Sequence, residues 1–122
     1  MFLRRRLTHK PKAGHPNSAF EKVNFSSVYV GPESGEPRSV PLLIIPHGGP
    51  HAVMPASFSR EVNFFNRMGY AVLGINYRGS LGLGQDTVDC LLGHIGDIDV
   101  KDCCQAMEEC LQVTFILFFT NY

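Results

Sequence analysis

The 122-residue sequence predicts an α/β fold in which short buried strands alternate with helices, and three observations carry that prediction. Two apolar runs, Val40–Ile45 and Tyr70–Ile75, are too short for helices and are bounded by breakers, as suits strands covered on both faces. Ser57–Met68 and Asp97–Gln112 show helical spacing between and after them. A third apolar run, Val113–Phe119 ("VTFILFF"), follows the second helix and reads as a third buried strand. The order strand, helix, strand, helix, strand with short connections is the signature of a parallel sheet with crossover helices.

Taken in order, residues 1–20 are polar and basic and contain Pro11, Gly14 and Pro16, which predicts a disordered lead-in. "KVNFSSVYV" from Lys22 to Val30 is β-branched and aromatic, a strand, and "GPESGEP" behind it is dense turn chemistry. Val40–Ile45 is the first core strand. In the helix over Ser57–Met68, Phe58, Val62, Phe65 and Met68 fall near one face and Gly69 supplies a stop. "YAVLGI" is the second core strand, followed by the glycine-rich loop "NYRGSLGLGQD". In the second helix Asp97, Asp99 and Asp102 favour the positive end of the dipole, and Val100, Cys103, Cys104, Met107 and Leu111 form the expected apolar face. The division expected is a basic lead-in at 1–20, an α/β unit at 21–112 and a strand-like, divergent tail at 113–122.

Composition limits the alternatives. With 44% hydrophobic and 18% charged residues, the chain can build a core and is neither fibrous nor disordered in bulk. Eleven basic and eleven acidic residues cancel, yet Arg4, Arg5, Arg6, Lys10 and Lys12 all precede the first acid, Glu21. That basic run lacks the interleaved aromatics of a stacking nucleic-acid surface, so a solvated end is expected, with no nucleic-acid partner. "MFLRRRL" offers no apolar segment of a secretory signal. "VTFILFF" falls well short of the ~20 residues needed to span a bilayer. A soluble chain without a membrane partner is the expectation. Cys90, Cys103, Cys104 and Cys110 form no C-x-x-C pair and have no histidine at zinc-ligand spacing; they read as small thiols in a reducing compartment, and no metal or cofactor is expected.

In sheets of this kind, ligands and catalytic groups collect at the carboxyl ends of the strands. Two loops leave those ends here, "PHGGPH" (Pro46–His51) and "NYRGSLGLGQD". Gly48 and Gly49 allow positive φ and can turn backbone N–H groups toward a developing negative charge, while Pro46 and Pro50 stiffen the turn. His-Gly-Gly after a strand is a pattern that supplies part of an oxyanion hole, and a plain structural turn is the alternative. In "GSLGLG" the glycines at 79, 82 and 84 reverse a dinucleotide fingerprint, and a polar loop rather than a helix is expected to follow, so dinucleotide binding is not supported.

Together, "VPLLIIPHGGPH", "MGYAVLGINYRGSLGLGQD" and "GDIDVKD", in this order and spacing, resemble the start of the catalytic domain of the prolyl oligopeptidase family of serine peptidases, over about residues 40–112. Within it, the similarity is to the cytosolic branch that releases N-acylated amino acids from short peptides. The resemblance implies a partial α/β-hydrolase fold and a cytoplasmic setting. It also implies short N-acylated peptides as substrates and a tendency to form oligomers. It assigns an oxyanion-hole amide to Gly49, with Gly48 as its neighbour.

The same resemblance makes the rest of the catalytic machinery conspicuous. No Gly-x-Ser-x-Gly occurs in the sequence. "RGSLG" has Arg78 where the first glycine belongs, which rules against Ser80 as nucleophile, and Ser34 in "PESGE" fails likewise. His47, His51 and His94 have no evident serine or cysteine partner in the sequence, and His47 and His51 are expected to shape the turn. The chain is therefore expected to be inactive alone. The alternative is a non-catalytic interaction piece that associates with full-length subunits.

Overall fold

The computed structural model describes residues 2–12, 20–32 and 40–119. Its elements, in chain order, are β1 (Phe2–His9), β2 (Phe25–Pro32), β3 (Leu42–Pro46), α1 (Arg60–Arg67), β4 (Ala71–Asn76), α2 (Gln85–Asp89) and α3 (Ile98–Phe119), with a single 3-10 turn at Phe20–Lys22. The four strands form one sheet in the order β1-β2-β4-β3. β3 and β4 run parallel with Ile44 opposite Leu73, joined through α1 as a crossover unit. β2 lies antiparallel to β4, and β1 antiparallel to β2. The α/β class stands, with a mixed sheet in which the parallel pair is extended by two antiparallel strands.

β4 explains why the layers form. All six of its residues are buried, so the near-continuous apolar run serves two faces at once, alternating with the strand's period of two. Leu73 and Ile75 join Phe25, Tyr77, Leu91, Ile98, Ala106 and Cys110 on one side. Val72 joins Val28, Val30 and Val62 on the other. β3 divides the same way, with Leu42 and Ile44 toward the first cluster and Leu43 and Ile45 toward the second. Full burial of a Leu or Ile side chain stabilises by about 1.5–3 kcal/mol. One-residue slippage of β4 would exchange the two sets and is disfavoured for that reason.

α1 begins at Ser59, whose Oγ accepts from the Val62 amide at 3.4 Å, with Glu61 in the first turn and Arg67 in the last, each favourable to the helix dipole. It ends where Gly69 takes φ +90°. Val62 and Asn66 are its buried residues; Phe65 is partly buried, while Phe58 and Met68, expected on the same face, are exposed. Asn66 Nδ2 donates to Val30 O at 3.1 Å and Tyr70 O at 2.9 Å, tying the helix to β2 and to the entry of β4.

Several expectations are corrected. The lead-in is not irregular throughout: Phe2–His9 is a strand paired with Phe25–Pro32 along its whole length. An edge strand needs only a partner's backbone, and three exposed arginines suit an edge that must not recruit further strands. Val113–Phe119 is not a third strand but the continuation of α3. Nothing between Gln112 and Val113 breaks the helix, and a short apolar run does not by its period separate strand from helix. The expected apolar face of α3 is only partly right, since Cys103 does pack against the core. Ile98, Asp102, Gln105, Ala106 and Cys110 are buried, whereas Val100, Cys104 and Leu111 are exposed. The inward face carries two polar residues that an apolar count passes over. Among the described residues, no helix is long and apolar enough to cross a membrane.

Candidate active-site turn

The residues singled out in the sequence gather where the parallel pair ends. β3 runs into His47–His51, and β4 runs into Tyr77–Ser80, so both loops leave the carboxyl edge of the sheet side by side. Asn76 stitches them together at the base: its Oδ1 accepts from Met54 N at 2.7 Å and its Nδ2 donates to Met54 O at 3.1 Å. Leu81 N donates to Ala52 O at 2.9 Å. His51 Nδ1 bonds Gly79 O at 3.1 Å.

The glycines sit outward on this frame. Gly49 has φ +71°, which a side chain would strain, and neither Gly48 nor Gly49 has an atom within 4 Å of where a Cβ would stand. Among the described residues, no acceptor takes either amide N–H. Two carbonyls of the turn are engaged. Tyr77 Oη lies 2.9 Å from Gly49 O and 3.2 Å from His47 O. Two of the turn's carbonyls thus meet the Tyr77 hydroxyl, while the Gly48 and Gly49 amides carry no hydrogen bond among the described residues.

His47 corrects an expectation. Its Nε2 lies 2.6 Å from Ser80 Oγ, so the histidine does have a serine partner. Ser80 is 0% exposed, however, so no substrate carbonyl reaches it and the pair is not a nucleophile with its base. The His47 ring stacks on Tyr77 with centroids 4.5 Å apart. His94 belongs elsewhere, in the loop before α3, where its backbone bonds Leu91, Asp97 and Ile98. Ser34 lies outside the described residues. The glycines at 79, 82 and 84 all have positive φ, and α2 follows Gly84 directly, contrary to the polar loop expected. It is a five-residue helix with Asp86 in its first turn, which gives a phosphate no welcome.

Beneath the second loop is an ion pair that sequence reasoning missed. Arg78 Nε and Nη2 bond the Asp102 carboxylate at 2.9 and 2.5 Å, and Arg78 N donates to the same carboxylate at 2.9 Å. Both side chains are buried. Burial pushes the Asp102 carboxyl above its ordinary value, an effect that the Arg78 hydrogen bonds and charge oppose without cancelling. Asp102, expected at the positive end of the dipole, is instead the partner of Arg78, and Asp99 sits at that helix start, accepting from Gly96 N at 2.7 Å. The nearby Cys103 thiol is pushed up to about 11, chiefly by burial and then by Asp102 and Asp99, and so stays protonated at neutral pH. Among the described residues, no group of three or more His, Cys, Asp or Glu side chains is placed to hold a metal ion.

A model of the prolyl oligopeptidase family matches residues 56–117, and the acylamino-acid-releasing enzyme of Mus musculus is 36% identical over 108 residues, 88% of this chain. The chain belongs to the prolyl oligopeptidase family. The acylamino-acid-releasing enzyme of Arabidopsis thaliana is 48% identical over 73 residues, covering 60% of this chain and 10% of its own length. The Pyrococcus horikoshii acylaminoacyl peptidase superposes with a TM-score of 0.74 at 26% identity, over 92% of this chain and 17% of that one. An acylaminoacyl peptidase in complex with Z-Gly-Gly-Phe-chloromethyl ketone gives 0.76 at 26% identity, again over 92% of this chain and 17% of that one. The fold is that part of an α/β-hydrolase, and the chain spans 15% of the length of the mouse enzyme. Tyr77 and the Arg78–Asp102 pair lie within the segment of family resemblance. The available signal was the polar "NYRG" closing an otherwise apolar strand.

Proposed function

We propose that this chain carries the oxyanion-binding turn of an acylaminoacyl-peptidase-type serine hydrolase. In this reading the Gly49 N–H donates to the oxyanion of an N-acylated peptide, and Gly48 gives the turn its freedom. The observation that supports it is the Gly49 amide, which has no acceptor among the described residues, on an open positive-φ turn whose Gly49 carbonyl meets Tyr77 Oη. A second donor and the nucleophile come from sequence beyond these residues, since the 122 residues hold no Gly-x-Ser-x-Gly. The chain by itself is inactive. A cytoplasmic setting and association with copies or full-length subunits belong to the same reading. β3, at the sheet edge among the described residues, offers the place for such association.

Two measurements test it. The purified chain is expected to give no turnover of an acetyl-amino-acid chromogenic substrate and no labelling by a fluorophosphonate; either signal rejects inactivity. In an acylamino-acid-releasing enzyme carrying residues 41–54 of this chain in place of its own, Gly49→Val is expected to lower kcat about 10²–10³-fold, the usual loss of an oxyanion donor, with KM little changed. Unaltered kcat rejects the donor role.

A further inference from the structure

We propose that the outer edge of β1 is a docking site for an extended acidic segment of another protein, which adds to the sheet as a further strand with its carboxylates opposite Arg4, Arg5 and Arg6. The site lies at the edge of the sheet away from β3 and the glycine turn. The proposal is independent of the oxyanion reading.

Two observations meet at this edge. β1 pairs with β2 over its whole length, Phe2–His9, and among the described residues nothing pairs with its other side. A strand so placed leaves alternate N–H and C=O groups unpaired along its outer side. Those are the groups that an incoming strand bonds. The second observation is charge. Arg4, Arg5, Arg6, Lys10 and Lys12 all precede the first acid, and all are exposed. Lys12 is taken by Glu108, and Arg4 Nη1 donates to Ala56 O at 3.1 Å. The side chains of Arg5, Arg6 and Lys10 have no hydrogen bond or ion pair among the described residues.

The register sets the pattern that a partner must match. Arg4 stands opposite Val30 and Arg6 opposite Val28, both in the cluster on the α1 side. Arg5 stands opposite Tyr29, which packs on the α3 side. The arginines therefore alternate between the two faces, and three consecutive acidic residues on an added strand alternate in step with them. Unlike charges directly opposite stabilise a sheet, and like charges destabilise it. That rule turns away a second copy, because antiparallel pairing of two β1 strands centred on the run sets Arg5 against Arg5 and Arg4 against Arg6. The same arginines select a strand of opposite charge. β3, with no charged residue in Leu42–Pro46, makes no such selection. A single-stranded nucleic acid would meet the charges, but it has no strand backbone to bond the edge, and Arg4 to Lys12 includes no aromatic residue for stacking.

The test uses the full 122-residue chain and a fluorescein-labelled peptide, Thr-Val-Glu-Glu-Glu-Val-Thr, read by polarisation and by amide hydrogen exchange. The peptide is expected to bind, and the alternate β1 amides that face away from β2 are expected to exchange at least about ten-fold more slowly with it bound. Absence of binding overturns the proposal, and so does binding without that protection, which is electrostatic adhesion only. These measurements need no variant. Replacing the three glutamates by glutamine is expected to weaken binding about ten-fold or more, and methylating the peptide nitrogens on its bonding side is expected to abolish it. Indifference to either change overturns strand addition. The chain carrying Arg5→Glu and Arg6→Glu is expected to lose the glutamate peptide and to bind its lysine counterpart, Thr-Val-Lys-Lys-Lys-Val-Thr. A folded variant that keeps the glutamate peptide, or binds neither, overturns the charge match. Tighter binding of an oligothymidylate than of the glutamate peptide overturns the acidic-segment partner in favour of a nucleic acid.

Discussion

Among the described residues, two histidines bond a buried serine through Nε2, and their surroundings set them to different tasks. His47 bonds Ser80 at 2.6 Å and presents Nδ1 to a neutral phenol. His9 bonds Ser27 at 2.7 Å and presents Nδ1 to the Glu109 carboxylate at 2.6 Å, with its ring stacked on Phe25. Ser27, His9 and Glu109 have the connectivity of a catalytic triad. Yet Ser27 is 0% and His9 2% exposed, so the set is a clasp joining β1, β2 and α3. Connectivity alone does not make a site; what decides is whether free backbone donors lie beside it, and among the described residues the His47 turn carries such amides at Gly48 and Gly49.

The heaviest blow to the comparison comes from beneath the turn. Asp102→Asn leaves the Arg78 guanidinium buried with its counter-charge removed, and breaking a buried pair from one side typically costs about 3–5 kcal/mol. Urea unfolding of the variant is expected to show a midpoint lowered accordingly, or no cooperative transition. A shift of under about 1 kcal/mol would mean that the pair is wetter than its hydrogen bonds indicate and that the His47 side is not rigidly based. His9→Ala strikes the other region. It orphans the buried Ser27 hydroxyl and detaches α3 from β1, and a loss of about 1–3 kcal/mol is expected with the turn at Gly48–Gly49 undisturbed in amide chemical shift.

The regions also part in their response to acid. Burial tends to raise Glu109, but hydrogen bonds from His9 and Gln105, with the charges of His9 and Lys12, outweigh it and bring the carboxyl below its ordinary value of 4.5. A carboxyl depressed in the folded state contributes stability that is present above 4.5 and is lost as pH falls through the folded value. The urea midpoint is therefore expected to drop below about pH 4.5, and Glu109→Gln is expected to reduce that drop, while the carboxyl beneath the His47 turn, Asp102, is raised rather than lowered and so does not add to it. Equal acid dependence in the wild type and in Glu109→Gln would remove the clasp's electrostatic character. Glu109 is one-third exposed, so screening keeps the effect to under about 1 kcal/mol.

How far the sequence reveals these regions follows the same divide. The turn was legible because glycine and proline act locally: "PHGGPH" specifies its backbone without help from elsewhere. β4 and α1 were legible because their periods are uninterrupted. The clasp was not, because β1 carries three arginines and takes its order from β2, and because His9 meets Glu109 across 100 positions of sequence. Asp102 and Gln105 hid the true inner face of α3 by being polar and buried at once. Asp102 is satisfied by Arg78; Gln105 is satisfied by Lys10 O at 2.6 Å and Lys12 N at 3.1 Å. Neither partner is visible in a one-dimensional pattern. Tyr77 carries no mark within the loop "NYRGSLGLGQD", since its value lies in the carbonyls it meets rather than in any motif.

The smallest expected effect is the one that best separates contact from consequence. Lys12 Nζ lies 2.6 Å from Glu108 Oε2, the same separation as His9 from Glu109. The lysine and glutamate side chains are 67% and 49% exposed, against 2% for His9. In water both charges keep most of their hydration when parted, and ordering two long side chains offsets the attraction. Lys12→Met is therefore expected to leave the urea midpoint unchanged, although the hydrogen bond to Glu108 and that charge raise the lysine's pKa. It retains the Lys12 backbone N–H that reaches Gln105. A clear destabilisation would show that the end of β1 is held by its charges. No change, beside a loss in His9→Ala, would show that burial and the orphaned serine, rather than bond length, make the clasp.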